Sequence, residues 1–286
     1  MRQEANAFLA DHCFGGNAVL PTVCATSWMV SVCENLYPGY RFFAYDNYKL
    51  FKGLVFDDSM PDSVALDVAE TAADGSSITL NVKIWSTNPK GFRVNHYAAD
   101  ITLLTAVPVR PTYAGFNQTE SALADSMVQP YSNGTLFHGA SFQNIQRVIN
   151  VGDTKLTMAC VAPTVNIDAQ GQFVARSTNP YVDDVLYQAM LVWVRNSVGK
   201  GSLPTSAARC EQYEVIPGGT AYFVSLDVIS SQPSKLVADI TLHDEDGRVY
   251  TKMLKAEVTI SDALGALFLE NTPAAKASSK NSKVKA

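Results

Sequence analysis

His12 opens the run His12-Cys13-Phe14-Gly15-Gly16-Asn17-Ala18-Val19-Leu20-Pro21, with a glycine four residues on and a proline five beyond that. An imidazole titrates near neutral pH, so it suits the work of a general base. Pro21 fits the first turn of a helix, and Gly16 lets backbone approach a ligand closely. A helix start behind this run would present free N–H groups and the positive end of a dipole, which suits polarising a carbonyl oxygen. The second group is Asp184-Val185-Leu186-Tyr187-Gln188. Positions i and i+4 share a helix face, so the Gln188 amide can orient the Asp184 carboxyl. Burial would favour the protonated acid there, and a helix N-terminus would favour the anion; a general acid needs burial to win. Each group also has a plainer use, as a structural turn histidine and as helix N-capping by Asp183 and Asp184. The complete spacing of the first group, more than either residue alone, favours chemistry.

Two helices must position these groups. One is expected from about Thr22 to Leu36, directly after Pro21 and apolar on nearly every side, the mark of a buried helix. The other is expected from about Tyr181 to Ser197, between Asn179-Pro180 and Gly199, with Asp183 and Asp184 in its first turn. The remaining order is strand-like. Ser77 to Trp85 alternates apolar with polar, and Tyr97 to Val107 and Ala221 to Val228 read similarly. Val237 to Leu242 and Arg248 to Ile260 flank the acidic turn His243-Asp244-Glu245-Asp246-Gly247 as a hairpin.

A buried helix followed by strands, occurring twice, gives an α+β fold of two hotdog halves, each an antiparallel sheet wrapped around a central helix. Each half alone leaves a sheet edge open, so the two are expected to join in one continuous sheet. The expected division is 1–110 for the N-terminal hotdog, 111–134 for a connector, 135–272 for the C-terminal hotdog and 273–286 for a flexible tail or linker. The connector is rich in Pro, Gly, Ser, Asn and Thr, and the tail in Ala, Ser and Lys.

Composition narrows the function. The 286 residues are 47% hydrophobic and 17% charged, enough for a core, and the formal net charge of −5 with no basic stripe argues against nucleic acid. The five cysteines include no C-x-x-C pair, so neither a structural zinc site nor a disulfide framework is signalled, and Cys24 and Cys33 read as small buried hydrophobes. No leader-like start and no apolar run near the ~20 residues of a membrane span is present, and a cytoplasmic setting is expected.

The two groups together resemble the dehydratase domains of polyketide and fatty-acid synthases, which carry H-x-x-x-G-x-x-x-x-P in the first hotdog and D-x-x-x-Q or D-x-x-x-H in the second. Leu136-Phe137-His138-Gly139-Ala140-Ser141-Phe142-Gln143 is similar to the family's Y-G-P-x-F stretch, with His138 in place of the tyrosine and Ala140 in place of the proline. Leu203-Pro204-Thr205-Ser206 resembles the L-P segment after the second helix, and Asp244 to Arg248 fits the late hairpin. The wording from Asp11 to Met29 looks closest to dehydratases of polyunsaturated fatty-acid synthases.

The resemblance implies elimination of water from a 3-hydroxyacyl thioester carried on the phosphopantetheine of an acyl carrier protein. His12 would take the C2 proton, Asp184 would protonate the departing C3 hydroxyl, and Gln188 would orient Asp184. Gly16, Pro21, Phe137, His138, Gly139 and Phe142 would contact substrate, with Trp28, Met29, Phe137 and Phe142 as tunnel walls. No metal or separate cofactor is implied; the partners would be the carrier protein and neighbouring synthase domains. Lys49, Lys52, Arg209 and Lys235 are the candidates for a basic docking surface. Two other readings stand beside this one: a hotdog acyl thioesterase, and a catalytically silent double hotdog that organises a multienzyme.

Overall fold

The computed structural model describes residues 1–119 and 130–269. The part of the expected connector from 120 to 129 and the expected tail at 273–286 lie outside the described residues.

The chain begins with a 3-10 turn over Ala7–Asp11, which buries Phe8 and Leu9, and a small hairpin of β1 (Cys13–Phe14) and β2 (Asn17–Val19). Helix α1 follows at Thr22–Leu36, with the boundaries its sequence suggests. Its Val23, Cys24, Ala25, Met29, Val30 and Cys33 are all buried, which is why no polar stripe breaks the pattern. Then come β3 (Arg41–Leu50), the short β4 (Val55–Phe56), β5 (Ala65–Ala73), β6 (Ser77–Thr87) and β7 (Arg93–Leu104). In β6 the alternation turns Ile78, Leu80, Val82 and Ile84 to the core beneath α1.

The second half repeats the plan. Strands β8 (Ile145–Val151) and β9 (Lys155–Val161) precede a helical region. That region is two pieces, α2 (Pro180–Asp183) and α3 (Val185–Val198), where the sequence suggests one helix from Tyr181 to Ser197. Asp184 is the joint. Its side chain makes no capping bond to α3, so its carboxylate is free for contacts elsewhere. Gly199 ends α3 in the left-handed conformation at φ +73°, a cap that favours glycine. Strands β10 (Gly201–Gln212), β11 (Ala221–Gln232), β12 (Lys235–His243) and β13 (Val249–Ser261) complete the half. The chain then forms α4 (Asp262–Leu269), an element the sequence pattern does not suggest.

Ten strands form one antiparallel sheet in the order β5-β6-β7-β3-β10-β13-β12-β11-β9-β8, and β1, β2 and β4 form a separate small sheet. The halves join where β3 pairs β10, with Tyr45 opposite Cys210 and Asp46 opposite Arg209. This seam closes the edge that each half would otherwise expose. Helix α1 packs on β3, β6 and β7, and α3 on β10, β11 and β12, so each half wraps its own helix and the pair is a double hotdog.

One further detail differs from the sequence-based expectation. Trp28 and Met29 pack into the general core and line no cavity near His12. At the start of the expected connector, Val249 N–H donates to the Pro111 carbonyl at 2.8 Å, and Tyr113 N–H to that of Gly247 at 2.8 Å.

Candidate active site

His12 follows the Ala7–Asp11 turn and is buried. Its Nδ1 lies 2.8 Å from the Val19 carbonyl oxygen. A carbonyl only accepts, so Nδ1 carries the hydrogen and Nε2 is left with its lone pair. Burial drives the imidazole down to about 4, with the Asp184 charge pulling upward and His138 adding to the fall. At neutral pH the ring is therefore a neutral base.

Asp184 enters from the opposite half. Its Oδ2 accepts from Gln188 Nε2 at 2.8 Å and lies 3.1 Å from His138 Nε2. Burial pushes this carboxyl up, but the charge and hydrogen bond of His138 and the Gln188 amide outweigh it and hold it below the usual carboxylate range. The contest left open by the sequence falls to the anion. Gln188 is itself clamped: Nε2 also donates to the Phe142 carbonyl at 2.9 Å, and Oε1 accepts from the Tyr131 hydroxyl at 2.6 Å. Neighbouring Asp183 is driven by burial up to about 7.

The two groups converge. Donor atoms of His12, His138 and Asp184 lie within 4.8 Å of one another, and all three side chains line a cavity of about 280 Å³. The rest of its wall is mostly apolar, with Leu50, Val55 and Tyr97 from the first half and Leu191, Leu203 and Val258 from the second. Pro204 also lines it, at the register break where β10 runs past β13, which is where a strand tolerates proline. Phe137 stacks on His138 at 4.0 Å between ring centroids, and its ring meets that of His12 at 5.2 Å. The three donors form the one set among the described residues close enough to hold a metal ion. Within this set His138 Nε2 and Asp184 Oδ2 lie 3.1 Å apart.

Three residues expected at the substrate sit elsewhere. Gly16 is exposed at the tip of the β1–β2 hairpin and lines no part of the cavity. Gly15 and Gly16, at φ +58° and +81°, supply the left-handed conformation that this two-residue turn needs. Pro21 caps α1 from behind, its carbonyl accepting from Cys24 N–H at 3.0 Å. Thr22, next in sequence, is the residue at that helix start which reaches the cavity wall. Gly139 is a packing glycine, since a Cβ there would collide with the Asp11 carboxylate. Phe142 backs the site, its ring 5.6 Å from that of His12.

Other contributors had no motif to reveal them. Asp11 ties the His12 loop to the His138 loop through Ser141. Tyr131 fixes the Gln188 amide from a segment that reads only as connector. Phe268 of α4 packs on Phe14 at 5.7 Å and on Phe137 at 4.8 Å, behind the cavity wall. The apolar run Ala263-Leu264-Gly265-Ala266-Leu267-Phe268-Leu269 is the one trace of it in the sequence. Of the basic docking candidates, Arg209 is paired with Asp46 at 2.7 Å and Glu211 at 2.7 Å, and Lys235 with Glu257 at 3.0 Å.

The family profile described as polyketide synthase dehydratase N-terminal domain matches residues 117–266, just over half of the chain. The chain belongs to the polyketide synthase dehydratase family. The match covers the half of the chain that bears Asp184 and Gln188 and stops short of His12. A curated relative, a polyunsaturated fatty acid synthase polypeptide of Thraustochytrium sp., is 31% identical over 268 residues. That alignment takes in 91% of this chain but 9% of the relative, so the chain spans about a tenth of the length of the protein it matches. Among solved structures, the fold is shared with two inactive variants of the CurK dehydratase. One, with a histidine changed to phenylalanine, has a TM-score of 0.66 at 18% identity, over 93% of this chain and 91% of that one. The other, with an aspartate changed to asparagine, has a TM-score of 0.65 at 17% identity, over 94% and 91%.

Proposed function

We propose that this dehydratase eliminates water from a 3-hydroxyacyl thioester, delivered on the phosphopantetheine arm of an acyl carrier protein, to give the 2-enoyl thioester. The observation that carries this is the convergence of His12, as a neutral base, and Asp184, with its proton-bearing neighbours, on one apolar cavity from opposite hotdog halves. His12 Nε2 takes the C2 proton, the electron pair forms the C2–C3 double bond, and the C3 hydroxyl leaves as water with a proton held by the Asp184–His138 pair. Gln188 orients Asp184. The start of α1 at Thr22 takes the role of steadying the enolate-like thioester oxygen, because Gly16 lies away from the cavity. The inactive CurK variants support the pairing, since each has lost one histidine or one aspartate.

The likeness to the Thraustochytrium relative supports reading the chain as one domain of a polyunsaturated fatty-acid synthase, with the carrier protein and adjoining synthase domains as partners and a cytoplasmic setting. The proposed division remains 1–110 and 135–272 for the hotdog halves. Lys52 is the better docking candidate, being exposed and in the segment that supplies Leu50, Gly53 and Val55 to the cavity wall. No helix among the described residues is long and apolar enough to cross a membrane.

The test is mass spectrometry of a 3-hydroxyacyl thioester on carrier protein or pantetheine. Loss of one water by the wild type supports the reading. Release of free acid would indicate a thioesterase, and absence of turnover in both elimination and hydration would indicate a silent organising domain.

A further inference from the structure

Several observations single out His138. It lines the cavity. Its Nε2 lies 3.1 Å from Asp184 Oδ2, with both side chains at most 6% exposed. Its Nδ1 is buried without a hydrogen-bond partner among the described residues. Buried ring nitrogens rarely go unpaired, and here the unpaired one belongs to a cavity-lining side chain. Phe137 stacks on the face of the ring and the Gln143 amide holds the His138 carbonyl at 3.0 Å, so the ring is fixed in orientation.

We propose that His138 is the group that protonates the departing hydroxyl, with Asp184 holding its imidazolium. This rests on the dehydratase reading above and refines its acid half. In the competent state the ring carries both hydrogens: Nε2–H donates to Asp184 Oδ2, and Nδ1–H faces substrate. As His12 Nε2 removes the C2 proton, the C3–O bond breaks and its electron pair leaves on oxygen. That oxygen takes the Nδ1 proton and departs as water. His138 is left neutral, still donating from Nε2 to Asp184, and His12 is left protonated. The two rings stand 5.3 Å apart, and the cycle is restored when His12 gives up its proton and His138 regains one.

Asp184 is then an anchor for a cation, in line with the His138 charge being what chiefly opposes burial in keeping its carboxyl ionised. The titratable groups around the ring are Asp184 at the head of α3, His12 before β1, Tyr187 of α3 in the same wall, Tyr131 through Gln188, and Asp11 through the loop it clamps.

The test compares pH profiles of kcat and KM for the wild type, His138→Gln and His138→Phe, with 15N NMR of labelled histidines in the wild type. Expected is a fall in kcat of about 10²-fold or more in both variants, the scale of a lost general acid, with KM little changed. The NMR is expected to show His138 doubly protonated over the active pH range, losing a proton along the basic limb of the wild-type profile. Either wild-type kcat in His138→Gln, or a ring that is neutral throughout the active range, overturns the proposal while leaving the dehydratase reading intact. A wild type that does not eliminate water overturns both. Should the variants prove unfolded, the NMR titration alone decides.

Discussion

The Asp11 carboxylate accepts both the backbone N–H and the hydroxyl of Ser141, at 2.9 and 2.6 Å through the same oxygen. Asp11 immediately precedes His12, and Ser141 lies on the loop that carries His138, so one side chain sets the distance between the two hotdog halves at the site. The backbone reinforces it, because Gly139 N–H donates to the Asp11 carbonyl at 2.8 Å. Asp11→Ala is expected to leave the global fold in place but to lower kcat by about tenfold, by loosening a constellation that tolerates little displacement. Gly139→Ala forces a Cβ against the Asp11 carboxyl and is expected to destabilise by about 1–3 kcal/mol. Steady-state kinetics and thermal melts of the two variants check both.

His12→Ala is expected to reduce elimination by about 10²–10⁴-fold, the usual contribution of a positioned base, with the variant still folded. Circular dichroism beside the turnover assay separates lost chemistry from lost structure. An active His12→Ala enzyme would show that another group takes the C2 proton.

Tyr131 donates to Gln188 and also accepts from the N–H groups of Asn144 and Ile145, at 2.9 and 3.1 Å. Tyr131→Phe leaves those two donors and Gln188 Oε1 without this partner. The expected cost is about 1–3 kcal/mol in stability, with kcat falling more than KM changes, as the amide that orients Asp184 is released. Urea melts and kinetics test this.

Two buried groups bend stability with pH in opposite senses. His12, held at about 4, is neutral when folded but takes up a proton on unfolding below the ordinary 6.5. Its contribution is intact above that value and is lost as pH falls from 6.5 towards 4, by an amount on the order of 3 kcal/mol. Asp183, raised to about 7 from 3.8, binds a proton in the folded state that the unfolded chain has released. Its contribution is present below 3.8 and is lost as pH rises through 7. Asp183→Asn is therefore expected to raise the melting temperature at pH 8 more than at pH 4, as read by scanning calorimetry at both.

The near approach of His12, His138 and Asp184 makes a chelator experiment informative. Because His138 and Asp184 pair with each other and His12 with Val19, elimination is expected to be unchanged by EDTA. Loss of activity on chelation, restored by zinc, would assign the three side chains to a metal instead.

Much of this protein was legible in its sequence because the relevant forces are local. Helix α1 could be bounded at Thr22 and Leu36 because a proline starts it and an all-round apolar run marks it as buried. The alternation in β6 and the turn at Asp244–Gly247 follow from strand pleat and turn chemistry in the same way. The i, i+4 spacing put Gln188 within reach of Asp184 before any tertiary contact was known. What the tertiary structure alone decided are the relations between distant segments. The carboxylate form of Asp184 depends on His138, which is far away in sequence and whose charge and hydrogen bond outweigh burial. The break at Asp184 between α2 and α3 goes with a side chain bonded into the site instead of capping its own helix. The roles of Asp11, Tyr131 and Phe268 rest on contacts between segments distant in sequence, and Gly16 sits at the tip of its hairpin away from the cavity. Local pattern specifies elements and the residue types they carry, whereas charge state and reach depend on which neighbours folding brings within a few ångströms.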